Sequence, residues 1–472
     1  MLTPTPADTA APQVRLDALP RTVRASDGLK VIAAATDDTG VVRMALLLDG
    51  TLLHQSQEAT LRHNLDTRVL QPGDHRVLVQ AWDAAGNCGE AVGVFALAPD
   101  ATPAPSVTPE PSASATAWPS PTRLASTAQP TPEPVTAFWS EISIATYGYR
   151  QALYTDPEGT GQPYPLLHRE QVSGPVSQSY RVLVLRNEYL ELVLLPELGG
   201  RIYQCRFLPT GQNMLYNNRV IKPTQWGPAD QGWWLAVGGI EFCLPVDEHG
   251  YVTAEPWDTD WQRGADGSAT AVMRITERSR NLRAEVRVTL RPGEAGFGLR
   301  TILDNPDAAP KSYQYWVNAL LSPGAHGVQP SLRFYYPTDS VLVHSRGDGA
   351  LPEAGQALPW PLYDGRDLSV YGTWRNWLGF FATELRSNYT AVYDSVARAG
   401  MVRTFPAELA PGAKLFGFGQ GFDPGIYTDD GTQYVEMWGG VTPTFWDYAT
   451  LESNGRRQWD EYWYVLAGVD GL

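Results

Sequence analysis

Two glutamates in apolar, strand-like stretches are the residues of this chain best suited to acid–base chemistry. Glu241 lies in GGIEFCLP, directly after a glycine pair and Ile240, and Glu436 lies in YVEMWGG. Burial disfavours the charged form of a carboxyl group and raises its pKa, which suits proton transfer near neutral pH. Glycoside hydrolysis uses two carboxyl groups. The sequence therefore predicts that Glu241 and Glu436 form a catalytic pair, with a separation that sequence does not fix.

Each glutamate also has a structural interpretation. Glu241 could be a buried partner of an arginine such as Arg201, which follows the glycine pair Gly199-Gly200. Glu436 could lie on a solvated strand face. The alternation of Tyr434, Glu436 and Trp438 favours a functional role, because a glutamate between two aromatic rings is typical of a sugar site.

Other polar and aromatic side chains could complete such a site. His249, in DEHG, is predicted to bring an imidazole to the mouth of the site. Arg201 could bind a sugar hydroxyl or the carboxylate of an acidic sugar through its planar guanidinium. The chain has 16 Trp and 22 Tyr, and aromatic faces form platforms for sugar rings as well as core. The tryptophans predicted to bind substrate are Trp226, Trp233, Trp234, Trp316 and Trp438.

These residues need a β-rich scaffold. In NEYLELVLLPELGGRIYQCRF, residues 187–207, side chains alternate between polar and apolar positions on both sides of a glycine turn, as in paired strands. More than a dozen similar stretches follow through residue 472, and convincing helical periodicity is rare. We therefore predict an all-β fold, with a large two-sheet antiparallel sandwich over 137–472.

The N-terminal part divides into three further segments. Residues 1–11 are predicted to form a disordered tail from which a leader or anchor has been trimmed. Residues 12–98 show short alternating strands and turn signals, as in a small sandwich. Residues 99–136 contain ten prolines among Thr, Ser and Ala, a composition that favours an extended linker.

Composition excludes several function classes. The net charge of −15 disfavours binding to nucleic acid or to an anionic membrane. No apolar run is long enough for a membrane span. The spacing of the three cysteines indicates neither a zinc site nor a redox pair. Cys205 and Cys243 fall in predicted strands and are predicted to be buried thiols. Serine-hydrolase, zinc-protease, P-loop and dinucleotide motifs do not occur. No cofactor and no metal is predicted.

The segment 12–98 resembles bacterial immunoglobulin-like modules through ATDDTGVVRMALLLDG and GDHRVLVQAWDAAGN. Residues 137–472 resemble the galactose mutarotase-like superfamily, and within it a bacterial family related to aldose epimerases. This second resemblance rests on NEYLELVLLPELGGRI, NNRVIKP, GGIEFCLP, YQYWVNALLSP and YVEMWGG, which occur in the family's order. It implies a β-supersandwich whose larger sheet binds a sugar ring on its concave face.

The resemblance also implies roles for particular residues. Glu436 matches the general base of aldose epimerases, and Asn318 matches the asparagine of an H-x-x-x-N strand. Gln314 occupies the position of that motif's histidine, and an amide cannot donate and recover a proton as imidazole does. The usual acid of mutarotation is therefore missing from its place.

We predict a secreted or cell-surface bacterial protein that acts on an oligosaccharide or polysaccharide as a glycoside hydrolase. One alternative is an aldose 1-epimerase in which His249 replaces the missing acid. Another is a polysaccharide lyase with Tyr315 or His249 as base and Arg201 neutralising a uronate. A third alternative is a glycan-binding module without catalytic activity. Cell-surface tethering would use a segment before the given N-terminus.

Overall fold

The computed structural model describes residues 132–468 except 162, and residues 8–98 except 9, 18, 21, 25–28, 50, 66, 68–69, 71–72 and 86. The chain divides into two compact units, 1–123 and 124–472. Most of the predicted tail and linker thus lies outside the described residues. Strands dominate both units, and the one α-helix among the described residues is the four-residue α1 (Pro157–Thr160). The predicted all-β class is confirmed, and no described helix is long and apolar enough to cross a membrane.

The first unit is a small sandwich. Its strands are β1 (Gln13–Leu16), β2 (Thr22–Arg24), β3 (Leu29–Thr36), β4 (Val41–Leu48), β5 (Thr51–Ser56), β6 (Thr60–Leu65), β7 (Gly73–Asp83) and β8 (Cys88–Ala98). They form one sheet in the order β1-β3-β6 and another in the order β2-β8-β7-β4-β5. Alternate side chains such as Val31, Met44, Val77 and Phe95 form its core, as the period of two requires. The immunoglobulin-like prediction is confirmed.

The described residues of the second unit form 28 strands, most of them in a much larger sandwich. Its first strands are β9 (Thr136–Gly148), β10 (Leu153–Tyr154), β11 (Leu166–Leu167), β12 (Ser173–Arg186), β13 (Leu190–Leu195), β14 (Arg201–Phe207), β15 (Gln212–Asn213), β16 (Asn217–Pro223), β17 (Leu235–Gly238), β18 (Ile240–Cys243), β19 (Asp258–Arg263), β20 (Ala269–Glu277), β21 (Leu282–Leu290) and β22 (Gly296–Asp304). The rest are β23 (Lys311–Tyr313), β24 (Trp316–Leu321), β25 (Leu332–Tyr335), β26 (Ser340–Arg346), β27 (Ala357–Pro359), β28 (Leu362–Tyr363), β29 (Arg366–Asp367), β30 (Leu378–Phe381), β31 (Tyr389–Asp394), β32 (Ala399–Thr404), β33 (Gly412–Gly417), β34 (Val435–Gly440), β35 (Ala449–Leu451) and β36 (Arg456–Ala467).

Two large sheets form the layers of this unit. The 14-stranded sheet has the order β17-β16-β9-β12-β13-β14-β18-β24-β34-β33-β30-β26-β27, with β15 beside β14. The 8-stranded sheet has the order β19-β20-β21-β22-β36-β32-β31-β25. Apolar side chains from both sheets form one continuous buried cluster. The predicted supersandwich is confirmed, and this core leaves the other face of the larger sheet free to carry a site.

Strand alternation decides which side chains enter this core. In β24, Val317, Ala319 and Leu321 belong to the inter-sheet cluster, so Asn318 and Leu320 point to the opposite face. In β34, Val435 and Met437 likewise face the core. The opposite face of the larger sheet therefore receives the polar and aromatic residues of these strands.

One charged side chain crosses between the sheets. The Arg403 guanidinium, on β32, is fully buried and binds Glu461 through two hydrogen bonds of 2.7 and 3.0 Å. It packs against the backbone of Gly439 on β34, where an added Cβ would overlap it. The absence of a side chain at Gly439 therefore lets the two sheets close over a buried ion pair.

Gly439→Ala should lower the free energy of unfolding by about 1–3 kcal/mol, as overpacking of a core does. Chemical denaturation measures this change. Gly174→Ala is the matched control, because Gly174 lies in strand β12 and an added Cβ there meets nothing within 4 Å. Equal stability of the two variants would contradict the role of Gly439.

Candidate active site

Four neighbouring strands place four candidate residues in one row across the larger sheet. Glu241 on β18 pairs with Asn318 on β24, Asn318 pairs with Trp438 on β34, and Trp438 pairs with Lys414 on β33. Glu436 lies two residues before Trp438 and shares its face. Paired residues point to the same side of a sheet, so the register itself gathers these polar side chains on the face opposite the core.

The Glu241 carboxylate is the most enclosed group of this row, with no exposed surface. Its Oε1 accepts hydrogen bonds from His249 Nδ1 at 2.6 Å and Asn318 Nδ2 at 2.9 Å. Its Oε2 accepts one from Trp234 Nε1 at 3.2 Å, and Arg201 Nη1 lies 3.6 Å away. Burial raises the pKa of Glu241, but His249 and then Arg201 lower it more, so the net shift is downward. Glu241 is therefore a carboxylate at neutral pH.

His249 links the buried Glu241 carboxylate to a cavity. Its side chain is 14% exposed, and its ring stacks on Trp234 with the centroids 4.0 Å apart. Burial lowers the pKa of His249, but the Glu241 carboxylate raises it more, and the net shift is upward. Because Nδ1 is bound to Glu241, Nε2 is the ring nitrogen left to donate a proton into the cavity.

Glu436 lies on the floor of the same cavity and is 3% exposed. Its Oε2 accepts a hydrogen bond of 2.7 Å from Trp438 Nε1, which leaves Oε1 for a ligand. Burial raises the pKa of Glu436, while Lys414 and His249 lower it, and the net shift is upward. The group is suited to taking up a proton and returning it.

Aromatic rings enclose these groups in a cavity of about 600 Å³, within the size range of ligand sites. Trp226 and Trp377 are 42% and 37% exposed, so their faces are available to a sugar ring. The residues that line the cavity are Gln225, Trp226, Gly227, Gly232, Trp234, Glu248, His249, His344, Ser345, Trp377, Lys414, Phe416, Phe418, Phe422, Tyr434, Glu436 and Trp438. The site thus combines apolar walls with a few convergent polar groups.

Comparison with protein families assigns the second unit. Residues 159–464 match the model described as Domain of unknown function (DUF5107). The chain belongs to the DUF5107 family. Residues 12–79 match the model described as Bacterial Ig domain, in agreement with the sandwich of the first unit.

Several solved structures are similar to this chain. A TPR-domain containing protein from Parabacteroides distasonis has 20% identity and a TM-score of 0.60 over 72% of this chain, which spans 56% of that protein's length. A galactose mutarotase-like protein from Clostridium acetobutylicum has 12% identity and a TM-score of 0.45, with 61% and 96% of the two chains covered. An aldose 1-epimerase candidate from Klebsiella pneumoniae has 14% identity and a TM-score of 0.44, with 70% and 92% covered. The match to the Parabacteroides distasonis protein is a similarity of fold.

Five of the predicted site residues of the DUF5107 domain line the cavity and seven do not. Those at the cavity are Glu436, His249, Trp226, Trp234 and Trp438. Glu241, Asn318 and Arg201 form a layer behind His249. Arg201 is fully buried and donates to three backbone carbonyl groups, those of Leu198, Gly238 and Thr253. Its guanidinium therefore supports Glu241 and is not available to a uronate.

The remaining four predicted residues are structural. Gln314 donates to the carbonyl groups of Phe445 and Asp447 at 2.7 and 2.8 Å, and so anchors a loop beside the site. Trp316 lies flat against Gly412 and Gly440, where an added Cβ would meet its ring. Tyr315 and Trp233 are buried, and their polar atoms are bound to Thr301 at 3.1 Å and to the Pro165 carbonyl at 2.9 Å, respectively.

One donor set in the DUF5107 domain has the composition of a metal site. Ligand atoms of Glu241, Cys243 and His249 lie within 4.8 Å of one another. Burial raises the pKa of Cys243 well above its ordinary value. His249 Nδ1 donates a hydrogen bond to Glu241, so two members of this set are paired with each other.

Several cavity residues were not predicted from the sequence. Lys414, Phe416 and Phe418 occur at alternate positions in AKLFGFGQGF and share one face of β33 and the residues after it. A lysine on the aromatic face of a strand is the signal that could have identified Lys414. Trp377 lies in a loop and His344 lies in β26, which is next to the edge strand β27. Neither position carries a comparable pattern.

The hydrogen bond from His249 to Glu241 should control the protonation of the imidazole. We expect the pKa of His249 to lie above the ordinary value of about 6.5 and to fall in Glu241→Gln, which removes the negative charge. Because the pKa is raised in the folded state, protonated His249 contributes to the free energy of unfolding. This contribution is fully present below about pH 6.5 and is lost as pH rises through the pKa of folded His249. An NMR titration of the His249 ring measures both values.

Glu285→Gln serves as the control for this titration. Glu285 is a partly buried carboxylate of the second sheet, paired with Arg274 and Arg287. Its replacement should leave the His249 titration unchanged. Identical His249 titrations in the wild type and in Glu241→Gln would rule out the proposed coupling.

Proposed function

We propose that the DUF5107 domain is a carbohydrate enzyme that interconverts the anomers of an aldose, with His249 as general acid and Glu436 as general base. The observation that supports this proposal is that one imidazole and one carboxyl group, both with raised pKa, face one aromatic cavity. The two groups lie on adjacent walls, since the His249 and Trp438 ring centroids are 5.5 Å apart and Trp438 holds Glu436.

The reaction requires two coupled proton transfers. His249 Nε2–H protonates the ring oxygen while the Glu436 carboxylate removes the proton of the anomeric hydroxyl group. The bond between the anomeric carbon and the ring oxygen breaks, and the anomeric C–O bond becomes a carbonyl group. Rotation about the neighbouring C–C bond and the reverse transfers then close the ring as the other anomer. Both side chains recover their initial protonation states, so no co-reactant is consumed.

Glu241 has a supporting role in this proposal. It holds the ring of His249 through Nδ1, keeps the imidazolium form favoured and never meets the substrate, since it has no exposed surface. Arg201 and Asn318 in turn fix the carboxylate. His249 thereby supplies the acid that Gln314 cannot supply, as the epimerase alternative from the sequence required.

Glycoside hydrolysis is the second candidate, and one observation favours it. Glu248 lines the same cavity as Glu436, so a carboxyl pair is present there without Glu241. The exposed faces of Trp226 and Trp377 would suit a substrate longer than one ring. In this candidate Glu248 and Glu436 take the acid and base roles.

Export is part of the proposal as well. An immunoglobulin-like module of bacterial type precedes the DUF5107 domain. The proline-rich segment between them has a composition that suits a spacer. Both features support a secreted or surface-exposed enzyme acting on external carbohydrate.

His249→Gln and Glu436→Gln should each lower kcat for anomeric interconversion by about 10²–10⁴-fold, the range for loss of a general acid or base. Polarimetry on freshly dissolved pure anomers of neutral and acidic aldoses measures the rate. The control is His168→Gln, since His168 is 43% exposed and does not line the cavity. Unchanged rates in both site variants would disprove the assignment.

A parallel assay separates the other candidates. New reducing ends from aryl glycosides or polysaccharides, abolished by Glu248→Gln, would identify hydrolysis instead. Retardation in a glycan affinity gel with no turnover of any sugar would identify a binding module.

A further inference from the structure

Lys414 is a buried cation without a partner. It is 3% exposed, and among the described residues its Nζ makes no hydrogen bond and no ion pair within 4.0 Å. Burying an ammonium group without compensation is costly. An unpaired buried charge in the wall of a cavity indicates that the compensating group arrives with a ligand.

Aromatic rings hold this ammonium group in place. Its Nζ lies 4.6 Å from the ring centroids of Trp438 and Phe445 and 5.0 Å from that of Phe416. Cation–π attraction offsets part of the desolvation cost but offers no hydrogen-bond acceptor. The three donors of the ammonium group therefore remain available, and Lys414 lines the cavity together with Trp438 and Phe416.

The groups around Lys414 do not neutralise it fully. Burial lowers the pKa of His344 to about 2, so this neighbour stays neutral and can coexist with a cation. Glu436 and Glu248 are the carboxyl groups whose charges favour the cationic form of Lys414, but neither forms an ion pair with its Nζ within 4.0 Å. Glu241 is already paired with His249 and Arg201. Among the described residues, the Lys414 ammonium group therefore has no carboxylate in direct contact, and that position is open to an anion from a ligand.

We propose that the sugar bound by the DUF5107 domain carries an anionic group, a carboxylate or a phosphate ester, that binds to Lys414. This inference rests on the proposed function for the placement of a sugar over Glu436. The order of the strands in the sheet is β18-β24-β34-β33. Lys414 is on β33, at one end of this row, and Glu241, which holds His249, is on β18, at the other end. The anionic group therefore lies on the side of the sugar away from His249.

Isothermal titration compares glucose with glucuronate and with glucose 6-phosphate, and galactose with galacturonate. We expect at least one acidic sugar to bind about 10–100-fold more tightly than its neutral parent, the range for a hydrogen bond to a charged group. The uronate and phosphate arms identify which anion is preferred. Lys414→Met should reduce this preference to less than about 3-fold, while Lys414→Arg should retain it in part.

Lys311→Met is the matched control. Lys311 pairs with Asp307 at the surface and does not line the cavity, so its replacement should leave the preference unchanged. Equal binding of neutral and acidic sugars by the wild type, or a preference that survives Lys414→Met, would overturn the inference. Thermal unfolding verifies that each variant is folded.

The wild-type protein provides an independent test if Lys414→Met does not fold. Burial lowers the pKa of Lys414 to about 8, against the opposing effects of Glu436, Glu248 and Cys243. His249 and His344 also border the cavity. The ratio of acidic to neutral binding should fall as pH rises through about 8, because the ammonium group loses its proton. A ratio that stays constant up to pH 10 would overturn the inference.

The outcomes for binding and for turnover are separable. His249→Gln should lose anomeric interconversion but keep the preference for acidic sugars. Turnover of neutral sugars without any acidic preference would overturn the Lys414 inference and leave the proposed function standing. An acidic preference without turnover of any sugar would do the reverse.

Discussion

The buried Glu241 carboxylate is the interaction on which the candidate site depends. A carboxylate without exposed surface requires several partners. Here three hydrogen-bond donors, Trp234, His249 and Asn318, and one nearby cation, Arg201, come from four different parts of the chain. Each of these partners is held in turn by its own strand or turn, so the buried charge fixes these four segments relative to one another.

This arrangement changes how the two strand glutamates relate to chemistry. Sequence reasoning placed Glu241 and Glu436 together as partners of equal rank. The structure puts both on one face of one sheet, but Glu241 lies beneath His249 while Glu436 reaches the cavity. A buried arginine beside a glutamate is usually taken as a purely structural pair. Here the same pair also supports an imidazole that faces the cavity.

The sequence could predict the fold because alternation is a local property. The period of two in stretches such as YLELVLL and RAEVRVTL requires strands, and many of them require a large sandwich. It could not predict which strands become neighbours. Lys414 and Glu241 are brought into one row by β24 and β34, which are far apart in sequence from β18, and no local pattern encodes that register.

The same limitation explains which site residues were predicted. Glu436 and Trp438 were found because their own strand alternates and because a resemblance marked the position. Trp316 and Tyr315 were also predicted to bind substrate, but successive residues of an extended chain face opposite sides. Tyr315 therefore enters the core, and Trp316 fills the space above two glycines. Residue type and spacing identify candidate residues. Only the pairing of the strands decides whether an aromatic ring lines the cavity or packs in the core.

The cavity also shows why a fold does not by itself determine a substrate. The sheet supplies the scaffold, and the groups that discriminate ligands sit at single positions on it. In the proposed site, Lys414 on β33 is a buried charge that an anionic group of a sugar would satisfy and a neutral sugar would not. Because an unmatched buried charge costs more than a lost contact, specificity at such a position arises as much from rejecting the wrong ligand as from holding the right one.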